Sequence, residues 1–514
     1  MKILLVYPQY PDTFWSFHHA LKIISKKAVF PPLGLLTVAS MLPAEWDKKL
    51  IDMNITSLTD NDIRWADYVF ISAMAVQSDS AKEAIARCNN IGARVVAGGP
   101  LFTTSYDEFT GVDHFVLGEA EVTLPLFLES VKNGHTRHIY TSKERPDITQ
   151  TPIPLWSLIN MKKYSSMMMQ YSRGCPFNCE FCDIVVLNGH EPRTKSVTQT
   201  LAELEALYHQ GWRGSLFIVD DNFIGNKRKL KSEILPAMID WMKERNYPFT
   251  LYTEASINLA DDDELMELMV EAGFSRVFIG IETPNDESLA ECDKSQNRNR
   301  DLAGAVRKIQ NKGLEVQGGF IVGFDSDPVS IFKRQIDFIQ TTGIVTAMVG
   351  LLNAPRGTRL YQRLMKEKRL LREMSGNNTD FSLNFIPRMN YDTLINGYHS
   401  ILHTIYSPKQ YYDRVRTFLK EYQPVRRGKL RIQPGHISAL IRTTWLLGIK
   451  EKGRQYYWKF IVSTLLKSPK SFPISITLAV YGYHFRKVIG KYIEQPVRNT
   501  ILLRRQGAQP TNGD

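Results

Sequence analysis

Short apolar runs alternate with amphipathic stretches over roughly the first 370 residues. Lys2–Tyr7 (KILLVY), Tyr68–Ser72 (YVFIS), Arg94–Gly98 (RVVAG) and His114–Leu117 (HFVL) are rich in β-branched and aromatic residues and read as buried strands. Between them, Leu33–Leu42 and Ser78–Ile91 carry helical spacing. Strands alternating with helices predict βαβ units and a parallel sheet covered on both faces. Residues 1–135 are therefore expected to form a doubly wound α/β domain of flavodoxin or Rossmann type. Ligands of such sheets bind beyond the carboxyl ends of the strands. Here those ends carry Met74 to Gln77, Gly98-Gly99-Pro100 and Gly118-Glu119-Ala120-Glu121. Residues 136–165 have weak periodicity and contain Pro146, Pro152 and Pro154, and read as a linker. Six further runs follow: Met167–Tyr171, Ser215–Val219, Thr250–Thr253, Arg276–Ile281, Val316–Val322 and Thr346–Leu351. They predict a partial (β/α)6 barrel over residues 166–374, with its chemistry at the strand C-termini. Residues 375–514 are mostly helical in pattern.

Composition narrows the class. The chain has 514 residues, 43% hydrophobic and 23% charged, which is globular and excludes extensive disorder. Five cysteines exclude a disulfide scaffold. The opening MKILLVYPQYPD reads as a first core strand rather than a secretory segment, and no run of 18 uncharged apolar residues exists to span a membrane. A cytoplasmic protein is expected. The net charge of +11 is unevenly spread: from Val425 onward there are 17 Lys/Arg against 3 Asp/Glu, so residues 1–424 carry about −3. That end interleaves charge with aromatic and aliphatic residues, as in HISALIRTTWLLGIK and GRQYYWKFIVSTLLK. A membrane-surface role suits this pattern best, on the inner face of the membrane. A plain helical domain and a nucleic-acid surface are weaker alternatives.

Three of the five cysteines fall within eight residues, in RGCPFNCEFCD: Cys175, Cys179 and Cys182. A structural zinc site needs four ligands, and only His190 lies near enough to be the fourth. Three thiolates suit a 4Fe–4S cluster with one iron left open to a non-protein ligand. Cys88 and Cys292 lie in helical stretches and read as packing residues.

This segment resembles the radical S-adenosylmethionine (SAM) superfamily, whose hallmark is C-x3-C-x2-C with an aromatic before the last cysteine, here Phe181. The resemblance implies that the open iron chelates SAM and that reduction of the cluster releases a 5′-deoxyadenosyl radical. It further implies SAM contacts from Asp220 and Asp221 (VDDN), Glu254, Glu282 (IGIET), and Gly319 and Gly323 (GGFIVGF). Read alone, these glycines make turns and these acids cap helices. The preceding parallel-sheet domain resembles the cobalamin-binding subclass. There Pro32 and Gly34 (FPPLGL), Met74, Gln77, Gly98, Gly99, Gly118 and Glu119 would lie along the corrin and its nucleotide tail. No G-x-G-x-x-G follows the first strand, which argues against a dinucleotide site. The Asp-X-His-X-X-Gly motif that supplies a cobalt ligand in many cobalamin proteins is absent, and His18 and His19 read as helix-surface residues.

End to end, the chain is similar to the group containing hopanoid C-2 methylase, which shares RGCPFNCEFCDI, VDDNFIGNK and GGFIVGFDSD. The expected activity is methyl transfer to an unactivated carbon of a hydrophobic, hopanoid-like lipid, with electrons from a flavodoxin- or ferredoxin-type donor. The alternatives are a cobalamin-assisted radical cyclisation or rearrangement, and RNA modification. No single catalytic side chain is singled out.

Overall fold

The computed structural model describes residues 1–377, 380–423, 425 and 434–494. The first α/β unit is a six-stranded, all-parallel sheet. Its strands are β1 (Lys2–Tyr7), β2 (Asp47–Asp52), β3 (Tyr68–Ser72), β4 (Arg94–Gly98), β5 (His114–Val116) and β6 (Ile139–Tyr140), in the order β2-β1-β3-β4-β5-β6. This is the doubly wound arrangement expected, with two strands more than the apolar runs indicated. Both additions are edges: β2 (DKKLID) is largely polar, and β6 is two residues long. An edge strand is not buried on all sides and loses the apolar signature. β6 lies inside the segment read as a linker. That reading is corrected, since the segment closes the sheet and returns to the body through the Ala28↔Tyr164 bridge and a Tyr164 hydroxyl donated to Asp52 at 2.9 Å.

The second unit is a six-stranded parallel open barrel. It contains β7 (Ser166–Met169), then, after the short antiparallel pair β8 (Ser172–Arg173) and β9 (Arg193–Thr194), the strands β10 (Ser215–Ile218), β11 (Thr250–Ala255), β12 (Phe274–Glu282), β13 (Glu315–Val322) and β14 (Ala347–Leu351). Strands β10 (SLFI) and β11 (TLYTEA) alternate a buried face with a more exposed one, while β13 is buried on both faces. The half-buried positions face the lumen: Met168, Phe217, Tyr252 and Phe278. Phe217 stacks on Tyr252 at 4.9 Å between ring centroids.

Helices Tyr391–Tyr406, Pro408–Glu421, Pro434–Trp445, Arg454–Lys467 and Phe472–Glu494 form the C-terminal unit. It is bound to the N-terminal segment: Phe14 stacks on Phe485 at 4.1 Å, and the His484 ring bonds the Phe14 carbonyl at 3.0 Å. Parts of the basic end, residues 426–433 and 495–514, lie outside the described residues. No helix among the described residues is long and apolar enough to cross a membrane.

A buried ionic cluster joins the two α/β units. Arg173 donates to Glu119 (2.8 Å) and to both oxygens of Glu121 (2.8 and 3.0 Å), while Arg193 grips Glu119 through two nitrogens at 2.8 and 3.0 Å. Thr151 completes Glu121 at 2.7 Å. Burial pushes the Glu121 carboxyl up, but the Arg173 guanidinium outweighs it and holds the group below the usual carboxylate range. Arg173→Ala leaves Glu119 to Arg193 but strands the Glu121 carboxylate with Thr151 alone, so it should cost about 3 kcal/mol in denaturant unfolding. Arg173→Ala/Glu121→Ala should cost less than the sum of its two single variants, because each already breaks the same contact.

Candidate active site

The thiols sit on the loop leaving β8. Cys175 N–H donates to the Gly189 carbonyl at 3.2 Å, Cys182 N–H to that of Cys179 at 3.2 Å, and Glu180 N–H to that of Cys292 at 2.9 Å. Gly174, in the left-handed region at φ 98°, permits the turn, and a side chain there would strike the Glu191 carbonyl. Burial pushes the Cys175 and Cys182 thiols up, with neighbouring Cys179 adding to it, while the buried Lys294 ammonium opposes it. Among the described residues no three His, Cys, Asp or Glu side chains converge on a point where a single metal ion could sit. A cubane asks for something else: each thiolate binds a different iron, and the cationic cluster supplies the charge that buried thiolates need. Three thiols on one loop beside a buried lysine can hold such a group.

Lys294 itself pairs with Glu282 at 2.7 Å, and Gln296 Nε2 lies 3.8 Å from the Cys179 sulfur. Neither was visible from motif spacing, because both lie after β12 and far from the cysteines in sequence. Cys292 is buried and caps the helix Asp286–Glu291, against the back of the thiol loop; Cys88 is buried in its helix.

The other expected SAM contacts gather at the C-terminal ends of neighbouring strands. Asp220 is fully buried, accepts from Tyr171 N–H (2.8 Å) and Ser172 hydroxyl (2.6 Å), and is raised by burial to about 7. This corrects its expected role: both oxygens are used to hold the strand that precedes the thiol loop. Asp221 accepts from Asn188 (2.9 Å) and Gly174 N–H (3.3 Å). Glu254 is half-buried and faces both aspartates, and burial followed by their repulsion raises it to about 8. A cationic ligand would restore its ionisation. Gly319 lies on the lumen where a Cβ would meet the Phe278 ring at 2.8 Å. Gly323 adopts φ 106° and donates to Asp327 at 2.8 Å. The Phe181 ring lies 6.2 Å from that of Phe324, in the same glycine-rich segment.

Between the two α/β units lies a cavity of about 1680 Å³. Ligand pockets run to roughly 300–1,000 Å³, so this one has room for two large molecules. Pro32, Gly34, Met74, Gly98, Gly99, Gly118 and Glu119 all line it, facing Met168, Arg173, Phe217 and Val219 of the barrel. The small residues divide into two kinds. Open space lies in front of Gly34 and Gly118, as a close-fitting planar ligand requires. Gly98 is small because β5 is close, a Cβ there meeting the Val116 carbonyl at 2.7 Å, and Gly99 is crowded by Ser72. One expectation is corrected. Gln77 is buried off the cavity, bonding the Pro8 carbonyl and the Met74 N–H. Glu119 reaches the cavity wall, but its carboxylate is committed to arginines. His18 is exposed at the edge of the cavity, its ring 4.0 Å from Asp12.

Comparison with known proteins fits this layout. Residues 23–128 match the B12 binding domain, residues 169–339 the radical SAM superfamily, and residues 358–496 a domain of unknown function (DUF4070). An uncharacterized methyltransferase of Synechocystis sp. is 42% identical, covering 98% of this chain and 96% of that protein. The hopanoid C-2 methylase of Rhodopseudomonas palustris is 33% identical, covering 91% and 90%. The chain belongs to the cobalamin-binding radical SAM methyltransferases. Its cofactors are accordingly a 4Fe–4S cluster, SAM and cobalamin, and the enzyme needs an electron donor. The fold is shared with the cobalamin-dependent radical enzyme OxsB (TM-score 0.61, 15% identity, 99% of this chain and 81% of that one). It is shared also with the methyltransferase TsrM of Kitasatospora setae (TM-score 0.60, 12% identity, 96% and 100%).

The raised Glu254 gives a signed prediction for the cofactor-free protein. A carboxyl with a folded value near 8 and an unfolded one near 4.5 contributes stability that is present below the lower value and lost as pH rises through the higher. Glu254→Gln should therefore be more stable than the parent at pH 8, by about 2 kcal/mol after discounting for solvent access, and by less at pH 5. Thermal unfolding at the two pH values measures the difference.

Proposed function

We propose that the enzyme methylates an unactivated carbon of a hydrophobic, hopanoid-like lipid. Residues 1–135 would act as the cobalamin domain, 166–374 as the radical SAM core and 375–514 as the helical domain. The observation that carries this reading is the cavity. It opens between the Gly34 and Gly118 side of the first sheet and a barrel lumen walled by Met168, Phe217 and Val219, and Trp15 and Phe30 extend the apolar wall from the N-terminal segment. Similarity to the hopanoid C-2 methylase, 33% identical over nine-tenths of its length, supports the substrate class.

In this reading Cys175, Cys179 and Cys182 hold the cluster, with Lys294 offsetting the negative charge of the three thiolates. Phe181, Glu254, Glu282, Gly319 and Gly323 border SAM, and Asp221 orients Gly174 at the start of the thiol loop. Pro32, Gly34, Met74, Gly98, Gly99 and Gly118 border cobalamin. When bound, the three cofactors supply a reducing electron, a carbon radical and a transferable methyl group. The chain's own part is positioning and dryness. Phe30 packs 5.3 Å from Phe217, which stacks on Tyr252, and this wall keeps water from a radical that would otherwise be quenched. The electron donor would be of flavodoxin or ferredoxin type, and the protein would work at the inner membrane surface, where such a lipid resides.

Anaerobic turnover with deuterated-methyl SAM and a membrane lipid extract should yield a lipid carrying the labelled methyl; a rearranged or cyclised product without the label would sink the proposal. Cys175→Ala should lower 5′-deoxyadenosine formation by at least about a thousandfold, since two thiolates cannot keep the cluster with an iron open. The loss is read by chromatography of single-turnover mixtures, with the iron–sulfur absorbance as a control for cluster content.

A further inference from the structure

The C-terminal helices bury one face against the N-terminal segment and leave another uncovered. On Pro434–Trp445 and the turn after it, Ile437, Ile441, Trp445 and Ile449 recur every four residues, and all are exposed, Ile441 by 64% and Trp445 by 54%. That spacing places them along one stripe. On the next helix, Arg454–Lys467, Trp458, Val462, Leu465 and Leu466 are exposed as well, Leu466 by 79%. The two stripes adjoin, because Trp458 donates its indole N–H to the Gly448 carbonyl at 2.9 Å and its ring packs over that glycine. A patch of eight large apolar side chains is more than scattered surface hydrophobes amount to.

Charge indicates what covers it. Residues 434–494 hold ten Lys or Arg against two Glu, a net +8. Exposed Lys450, Arg454, Lys459 and Lys467 border the stripes, and the Lys450 ammonium sits 5.8 Å from the Trp445 ring centroid. Apolar side chains framed by cations and indoles match the boundary between acyl chains and anionic headgroups. A second copy of the chain would bring +8 against +8.

The patch is also next to the cavity wall. The buried side of Pro434–Trp445 rests on helix His18–Ile23: Ala439 packs with Ala20 and Ile23, and Arg442 donates to the Ile23 carbonyl (3.2 Å) and the Ser25 hydroxyl (2.6 Å). Leu21, Lys22, Ser25 and Lys26 of that same stretch line the cavity. We propose that the face centred on Ile441, Trp445 and Leu466 seats in one leaflet of an anionic bilayer and sets the cavity rim formed by residues 21–26 at the membrane surface, so that an amphiphile enters without crossing water. This deepens the lipid-substrate reading and rests on it only for the amphiphile's identity.

The test is flotation of the full-length, cofactor-loaded enzyme with vesicles of phosphatidylcholine, alone or mixed with phosphatidylglycerol. The parent protein should float with the mixed vesicles, more weakly with the neutral ones, and less as salt is raised. Ile441→Glu/Trp445→Glu/Leu466→Glu should lower the vesicle-bound fraction at least about tenfold, with 5′-deoxyadenosine formation unchanged. Lys450→Glu/Lys459→Glu should lose the preference for the anionic mixture, which keeps the idea testable should the triple variant fold poorly. A parent protein that floats with neither vesicle, a triple variant that floats undiminished, or a parent dimer that the triple variant converts to monomer would overturn the proposal. None of these readouts needs a substrate. Methylation of a detergent-dispersed lipid by an enzyme that does not float would refute the docking surface and leave the substrate reading intact; flotation without lipid methylation would do the reverse.

Discussion

Burying four charged side chains between two domains costs several kcal/mol per ion unless nearly every lone pair and proton is matched. Glu119, Glu121, Arg173 and Arg193 come close to that condition through paired, two-pronged contacts, the buried Arg193 Nε–H being the one group left without a partner among the described residues. Their placement in the chain gives the cluster its consequence. Both acids lie just beyond β5, at the start of the helix Ala120–Asn133 where the first sheet presents its ligand edge, Glu119 as its N-cap and Glu121 in its first turn. Both arginines lie on the β8–β9 pair, where Arg173 and Arg193 stand opposite one another in register. Cys175 follows Arg173 by two residues. The thiol loop is thus referenced to the ligand edge of the other domain, and the cavity takes its width from that distance. A redox site and a methyl-carrier site that must serve one substrate need such a fixed spacing more than either needs extra affinity.

The helical unit contributes to the same geometry from the other side. Trp15 donates to the Met348 sulfur at 3.2 Å and packs edge-on to Phe278, so the N-terminal segment plugs the barrel between β12 and β14. That segment is held by the last helix through Phe485 and through His484, whose burial lowers it to about 4 and keeps it neutral against the Phe14 carbonyl. The two ends of the chain therefore close the cavity jointly. Detaching the helices would free Phe14 to Phe17 and open the barrel floor to water.

Most of this architecture was legible because buried parallel strands write themselves as apolar runs: all six barrel strands and the four inner strands of the first sheet carry that mark. β2 and β6 do not, since an edge tolerates Asp47, Lys48 and Lys49. The thiols were legible because three cysteines at tight spacing have few other uses. The ionic cluster was not. Arg173 and Glu121 lie 52 residues apart, and nothing in either local pattern separates a domain clamp from a solvated charge. The glycines show the converse limit. Gly34 and Gly98 look alike in a sequence, yet one faces open space and the other a neighbouring strand, a difference that exists only once β5 is in place.

The two kinds of wall around the reaction space answer different demands. Near the thiol loop the groups are ionisable: Asp221, Glu254, and the Glu282–Lys294 pair, packed at strand ends where backbone and side-chain donors can hold them. Away from it the lumen is Met168, Phe217, Tyr252 and Phe278, joined by Phe30 and Trp15. A charged, chelating cofactor would favour the first set and be kept from the second by the cost of desolvation. A hydrocarbon skeleton has the opposite preference. On the proposed lipid reading, the molecule that must lose a hydrogen would be held on the apolar side and meet the polar side at one boundary only. Selectivity for which carbon reacts would then follow from how far the apolar wall lets the substrate advance, and the residues that would set this depth come from three places: the barrel, the N-terminal segment and, through it, the helix Phe472–Glu494.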